Sequence, residues 1–308
     1  YGFGTVADHT EDDPSKVWFT LTEGALTEAR FPRVDLPNLR TLDFVVADPD
    51  DGYVARSYAG SRLAEDAVER TTEMTADDAL SFRQTISATD DRDWTLDVEY
   101  AIPPDRDAVL ADVSFRARGP ERYDVYALAD TALSNSGTSD VAGVRDSRGS
   151  RSLVARDAST NDDAAVVRDR DGDPYNVATA LVADDGFDWA TVDVVGGDAL
   201  SPLLTEGTTS ERYDSAEGNV ALVGRLGESA TAVNDTVALG FADDADEDRA
   251  REEAERAFGP AFDAVRAYSR ERVAAELAAF PDGTYRATDA LEGDGVTDAA
   301  IPIEVTVT

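Results

Sequence analysis

Over most of the chain apolar and polar residues alternate one by one, the period of two that half-buried antiparallel strands show. The pattern is plainest in Phe82-Arg83-Gln84-Thr85-Ile86, Trp94-Thr95-Leu96-Asp97-Val98-Glu99-Tyr100 and Ala108-Val109-Leu110-Ala111-Asp112-Val113-Ser114-Phe115. Turn-forming clusters at 90–93 and 103–105 separate these runs. Upstream, 17–22 and 26–31 predict two strands joined by a turn at Glu23-Gly24, then a loop bracketed by Pro32 and Pro37, then a third strand over 41–46. Downstream, 123–128, 177–183, 218–226 and 236–241 predict more strands, with a loop at 132–137. The stretch 138–175, rich in Asp, Arg, Ser and Gly, reads as an exposed hairpin region with short strands at 152–155 and 164–167. A long loop is expected over 195–215, with Trp189 just upstream of it. Many short strands at this spacing predict a large antiparallel β-supersandwich.

After Phe241 the period changes. Ala250, Ala254, Ala257 and Phe258 fall on one face of a helix, Gly259-Pro260 interrupts it, and Phe262, Val265, Tyr268, Val273 and Leu277 continue in a second helix. Pro281-Asp282-Gly283 predicts a turn, and alternating Ile301, Ile303, Val305 and Val307 predict one terminal strand that pairs with a sheet edge. The chain is therefore expected to be mainly β, a supersandwich at 1–242 followed by a helical linker at 243–280 and a turn with a terminal strand at 281–308.

Composition narrows the partners. With 64 acidic against 28 basic residues the formal net charge is -36, and Lys16 is the single lysine. Such a surface repels nucleic acid and anionic membranes, because phosphate binding needs clustered cations. A disordered acidic chain would be poor in apolar residues, whereas 42% of this one is hydrophobic and gathered in strand-like runs, so a folded protein is expected. Its carboxylates suit a high-salt setting, the cytoplasm or exterior of a haloarchaeal type of organism, where repulsion is screened. Cysteine is absent, which removes disulfides and thiolate metal sites. No apolar run reaches the length of a membrane span and no signal-peptide pattern opens the chain. Tyr1 in place of an initiator methionine points to processing or to a longer gene.

One block carries a family likeness. Gly2-Phe3-Gly4-Thr5, Ser15-Lys16-Val17-Trp18-Phe19-Thr20, Gly24, Leu26-Thr27-Glu28, Pro32, Asp35, Pro37-Asn38 and Arg40 together resemble the amino-terminal β-sandwich domain of prokaryotic glucoamylases and glucodextranases, glycoside hydrolase family 15. The strands at 218–226 and 236–241 resemble the same domain, so the likeness spans Gly2 to about Tyr268. In that family the domain precedes a helical barrel that carries the catalytic glutamates. The resemblance implies a non-catalytic module that supports a catalytic α/α-barrel, in cis or in trans, and helps shape the entrance for an α-glucan. It implies no catalytic residue, cofactor or metal in this chain. Trp18, Arg30, Phe31 and Asp35 are its candidates for domain-interface or sugar contact. The tryptophan expected a few residues beyond Tyr268 is absent. A shorter segment, about 267–308, with Phe280-Pro281-Asp282-Gly283-Thr284-Tyr285, Asp289, Leu291 and Asp294-Gly295-Val296-Thr297-Asp298, resembles hydantoinase B and oxoprolinase-type amidohydrolases. It implies a fusion segment without amidohydrolase chemistry.

Other chemical candidates weigh less. Carboxylate pairs recur at Asp12-Asp13, Asp50-Asp51, Asp77-Asp78, Asp162-Asp163, Asp184-Asp185 and Asp243-Asp244. Glycoside hydrolysis needs two carboxylates across a sugar with separated pKa values, and abundance selects none of them. His9 is the single histidine, and one imidazole without thiolates argues against zinc. Asp169-Arg170-Asp171-Gly172-Asp173 lacks the glutamate that closes a calcium loop of the EF-hand type and reads as an acidic turn. Gly2-Phe3-Gly4 reads as a flexible lead into the first strand. Tyr53, Tyr58, Tyr175, Trp189 and Tyr213 are aromatics that either stack on sugar or pack internally. Three readings follow: support domain of a glucoamylase-like enzyme, stand-alone carbohydrate-binding or scaffold module, and, remotely, an amidohydrolase-related fusion.

Overall fold

The computed structural model describes residues 2–4, 15–22, 24–58, 68–75, 81–147, 150–160, 167–168, 172–209, 211–258, 267, 270–271, 274–275, 278–279, 281, 283–291 and 301–307. Two antiparallel sheets face each other. The eight-stranded sheet contains β1 (Gly2–Gly4), β2 (Trp18–Thr22), β3 (Ala25–Arg30), β4 (Leu39–Asp48), β10 (Tyr123–Thr131), β16 (Val220–Ala230) and β14 (Trp189–Val194) in that order, with β5 (Tyr53–Arg56) paired to β4. The nine-stranded sheet runs β15 (Ser215–Gly218), β11 (Asp140–Ser147), β12 (Ser150–Asp157), β13 (Ala178–Ala183), β17 (Ala232–Ala242), β9 (Ala108–Ala117), β8 (Trp94–Ala101), β7 (Phe82–Ala88) and β6 (Val68–Met74).

Register explains why the sheets close on each other. One row across the eight-stranded sheet reads Leu21, Leu26, Leu42, Ala129, Leu222 and Val192, and all six lie in the core between the sheets. The adjacent row reads Thr20, Thr27, Thr41, Asp130, Ala221 and Asp193, and it faces outward. A slip of one residue would exchange the rows and put two aspartates in the core, so the alternation fixes the pairing. Trp94, Phe115, Tyr123 and Tyr53 form the aromatic part of the same core, with ring centroids about 6 Å apart in tilted or edge-on contacts.

Two helices cover the outer faces. α1 (Leu200–Glu206) lays Leu200 and Leu203 on Val45, Ala47, Tyr126, Leu128, Ala221 and Val223 of the eight-stranded sheet. α2 (Glu247–Ala257) lays Ala250, Ala254 and Ala257 on Ala108, Leu110, Ala178, Ala180, Ala238 and Ala242 of the nine-stranded sheet. The approach under α2 is close enough that a Cβ at Gly240 would stand 2.2 Å from the Ala250 carbonyl oxygen. Asp246 caps α2 by accepting from the Arg249 amide at 3.0 Å, with Glu247 and Asp248 in the first turn and Arg256 in the last. α1 is capped from outside: buried Asp193 accepts from the amides of Ala199 and Leu200 at 2.8 and 3.1 Å.

Several expectations change. The region 138–175 does hold a hairpin, β11 with β12, but it is an inner part of the nine-stranded sheet with Leu153, Val154 and Ala155 buried, not an exposed flap. The proposed strand at 164–167 falls almost wholly outside the described residues. The loop expected over 195–215 contains α1, and Trp189, upstream of it, opens the strand β14. Gly2–Gly4 is itself a strand, with Phe3 opposite Phe19. The terminal strand β19 (Ile301–Val307) pairs with β18 (Tyr285–Leu291) as a separate two-stranded sheet instead of extending a sandwich edge. Beyond α2, residues 267, 270–271, 274–275 and 278–279 are helical, while Phe262, Val265, Tyr268, Val273 and Leu277 lie outside the described residues.

Candidate functional site

The outward rows of the eight-stranded sheet divide into two halves. Towards β14 the face is apolar and α1 covers it; towards β2 and β3 it is polar. Trp18 stands opposite Arg30, and Glu28, with φ of 55°, marks the irregularity that brings those two into register. The Arg30 guanidinium donates to Thr20 Oγ1 at 3.1 Å and pairs with Glu28. Trp18 and Arg30 are both half-buried, so each keeps surface for a further contact.

Deeper in this half lies a buried ion pair. Asp43 is fully buried and Arg56 bridges both its oxygens, Nε to Oδ2 at 2.9 Å and an amino nitrogen to Oδ1 at 3.0 Å. Burial pushes the Asp43 carboxyl upward, and Arg56 opposes that shift. Next to it Asp130 accepts from Arg40 at 3.1 Å. Burial raises Asp130 too, against the pull of Arg40.

A loop built on the cis Phe31–Pro32 peptide projects beside this face. Asn38, fully buried, holds it: its amide nitrogen donates to the carbonyls of Phe31 and Leu36 at 2.7 and 3.0 Å, and its Oδ1 accepts from the Ser134 amide at 2.8 Å. That last bond ties the loop to a 3-10 turn at Leu133–Asn135, where Ser134 and Asn135 take positive φ of 51° and 64°. At the tip Arg33 grips Asp35 through two hydrogen bonds and lies over the Tyr175 ring at 5.7 Å. Those bonds with Arg33 hold the Asp35 carboxyl below its ordinary value. Between them Val34 is 62% exposed, an apolar knob on a loop its neighbours have already ordered.

The candidates from sequence thus separate. Trp18 and Arg30 sit together on the polar half-face and Asp35 is at the loop tip. Phe31 is 1% exposed and stacks on Phe241 at 5.9 Å, so it anchors the loop from beneath and offers no free surface. Among the proposed sugar-stacking aromatics, Tyr175 is under Arg33, Tyr53 is under Arg92 at 4.1 Å, and Trp189 packs edge-on against Tyr126. Tyr213 keeps more of its surface than these do, and Trp94 is 2% exposed and can reach no ligand. His9 and the pairs Asp12-Asp13, Asp77-Asp78 and Asp162-Asp163 lie outside the described residues. Asp243 is held by Arg249 at 2.9 Å and Asp51 pairs with Arg92, both at the surface. Among the described residues this face thus carries paired charges, with Trp18 and Arg30 half-buried on it and Asp35 at the loop tip.

Sequence reasoning missed Asn38 as the staple and Asp193 as the remote cap. Both act across distances in sequence, and the only sign was a lone amide between Pro37 and a strand.

Comparison with known proteins now adds the family. The family described as Glucodextranase, domain N, matches residues 1–271, and the chain belongs to it. A glucoamylase of Clostridium sp. (strain G0005) is 23% identical over 222 residues, covering 71% of this chain and 27% of that protein. A bacterial glucoamylase whose structure was determined with acarbose superposes with a TM-score of 0.70 at 18% identity, covering 86% of this chain and 35% of that one. The chain thus spans between a quarter and a third or so of the length of these relatives.

Proposed function

We propose that this domain-N chain acts as the non-catalytic support domain of a glucoamylase-like α-glucan hydrolase, with the polar half-face around Trp18 and Arg30 and the loop tip at Val34 and Asp35 as its docking surface for a catalytic helical barrel. The observation that carries the reading is the division of one sheet face. A helix of the chain covers the apolar half, whereas among the described residues no helix covers the polar half around Trp18 and Arg30, which lies beside an ordered loop. Trp18, Arg30 and Asp35 are the contact residues, and Phe31 supports them from the core. Residues 1–242 form the sandwich unit of this reading, 243–280 the link towards the barrel, and 281–308 a separate terminal piece.

Reading the source gene on both sides of the chain tests it: a continuing frame that encodes a helical barrel with paired glutamates supports the assignment. With that barrel supplied in trans, Trp18→Ala and Arg30→Ala are expected to weaken association at least tenfold, while the chain alone releases no glucose from maltodextrins. Association unaffected by both substitutions would move the docking surface elsewhere.

The half-buried Trp18 favours a second reading, direct carbohydrate binding by the isolated chain. It predicts saturable quenching of tryptophan fluorescence by maltodextrins, lost in Trp18→Phe, and absence of quenching across chain lengths rules it out.

The charge of -36 supports a protein that works in concentrated salt, since unscreened carboxylates repel one another. Dialysis from molar KCl into dilute buffer is expected to lower its thermal midpoint sharply. A midpoint unchanged by salt counts against the high-salt setting.

A further inference from the structure

Every charge buried in a protein needs a partner, and most buried acids of this sandwich have one. Asp43 has Arg56, Glu99 has Arg83 at 3.3 Å, and Asp124 has Arg225 at 3.6 Å. Asp193 caps α1 with its two oxygens engaged by backbone amides.

Asp140 and Asp157 differ. They are 0% and 1% exposed, and they stand directly opposite each other where β11 begins and β12 ends. Residues so paired project to the same face with Cβ atoms about 4.5–5.5 Å apart. Among the described residues neither forms an ion pair. Asp140 Oδ2 accepts from Thr131 Oγ1 and from the Leu133 amide, both at 3.2 Å, while Oδ1 is buried with no partner at all. Asp157 Oδ1 accepts from the Ser159 amide, at 2.8 Å. The Ser136 hydroxyl, in the turn that leads into β11, is a second buried oxygen without a partner. The basic group facing this cluster is Arg40, and it is committed to Asp130, the Thr131 carbonyl and Asn219. Arg40 is already matched by Asp130, which leaves Asp140 and Asp157 without a basic partner among the described residues.

We infer that the open end of the β11–β12 hairpin is a binding site for one hard divalent cation, with the unpartnered Asp140 Oδ1 and the Asp157 carboxylate as its acidic ligands. An oxygen-only donor set suits a calcium-like ion and excludes thiophilic metals. One divalent ion supplies the partner that Oδ1 lacks. The ion would fasten the first residues of β11 to the turn at Leu133–Asn135, and through the Ser134–Asn38 bond to the cis-proline loop. This departs from the sequence reading, which places no metal in the chain. It is independent of the docking reading.

The whole chain, stripped with chelator and held in choline chloride at constant ionic strength, is titrated with Ca²⁺ by calorimetry and by thermal unfolding. The expected result is one saturable site and a midpoint that climbs with Ca²⁺ as mass action requires. Asp140→Asn abolishes both responses while its own midpoint in choline chloride equals or exceeds that of the parent, because one unneutralised charge is gone. Asp157→Asn gives the same loss and serves where Asp140→Asn does not fold. Two results overturn the assignment. One is a parent with no saturable Ca²⁺ response, which leaves the pair to a shared proton or a buried water. The other is an undiminished response in either folded variant, which marks diffuse ion condensation on the acidic surface.

Discussion

The two outer faces of the sandwich are built on opposite terms. Under α2 the nine-stranded sheet presents Ala108, Ala178, Ala180, Ala238 and Gly240, and the helix replies with Ala250, Ala254 and Ala257. Small side chains on both sides let backbone approach backbone, and the polar contacts lie at the margins, where Glu247 meets Arg145 and Arg156 and Glu253 accepts from the Asp107 amide. The eight-stranded sheet presents Thr20, Thr27, Thr41, Asp43 and Asp130 over half its outer face, with Arg30, Arg40 and Arg56 neutralising the acids in or beside it. A face closed by the chain's own helix is finished. One lined with paired charges and a half-buried Trp18 keeps its polar groups satisfied without a covering helix among the described residues.

The largest effect is expected where the polar half-face is deepest. Arg56→Met leaves Asp43 buried and unpaired, which should cost about 3–5 kcal/mol and show as an early midpoint in urea unfolding. A loss below 1 kcal/mol would mean water reaches Asp43 and the half-face is looser than its geometry. Next comes the closed face. Gly240→Ala drives a methyl against the α2 backbone, and overpacking of this kind costs about 1–3 kcal/mol; a neutral result in thermal unfolding would show that α2 can lift away.

A smaller effect concerns pH. Burial raises Asp235 to about 6 against the donation of the Asp185 and Thr236 amides, with Asp185 and Asp184 adding repulsion. A carboxyl whose folded pKa lies above its unfolded value favours folding when protonated. Its contribution is full below about pH 4 and is lost as pH rises through about 6. Asp235→Asn should flatten the decline in thermal midpoint between those limits, and an unchanged pH profile would exclude Asp235 as its source. The smallest change in stability is expected from Arg30→Ala. Its partner Glu28 is exposed, so water screens the pair, and such bridges contribute about 0–1 kcal/mol. The unfolding midpoint should hardly move, and a large drop would identify Arg30 as structural.

Legibility in the sequence followed the range of the interactions. β2, β3, β8 and β9 could be read directly because alternation is local, and α2 could be read because Asp246 and the alanine spacing both lie within its own turns. The seven residues of α1 are too few to show a helical period, and the aspartate that caps it arrives from β14. The hairpin of β11 and β12 reads as exposed because its arginines and aspartates suggest solvent; the strand at 152–155 is legible, but the burial of Leu153-Val154-Ala155 depends on neighbours distant in sequence.

The sequence by itself determined the strand period, the family and the acidity, since each is written in adjacent residues or in composition. Tertiary structure alone decided which of the many carboxylates lost water and which found a cation. Asp43 meets Arg56 across a strand pair, whereas Asp140 meets Asp157, and both outcomes depend on register between strands that the chain brings together only on folding. Desolvation and pairing act through space, so two aspartates identical as letters become a neutralised pair in one place and an unmet charge in another.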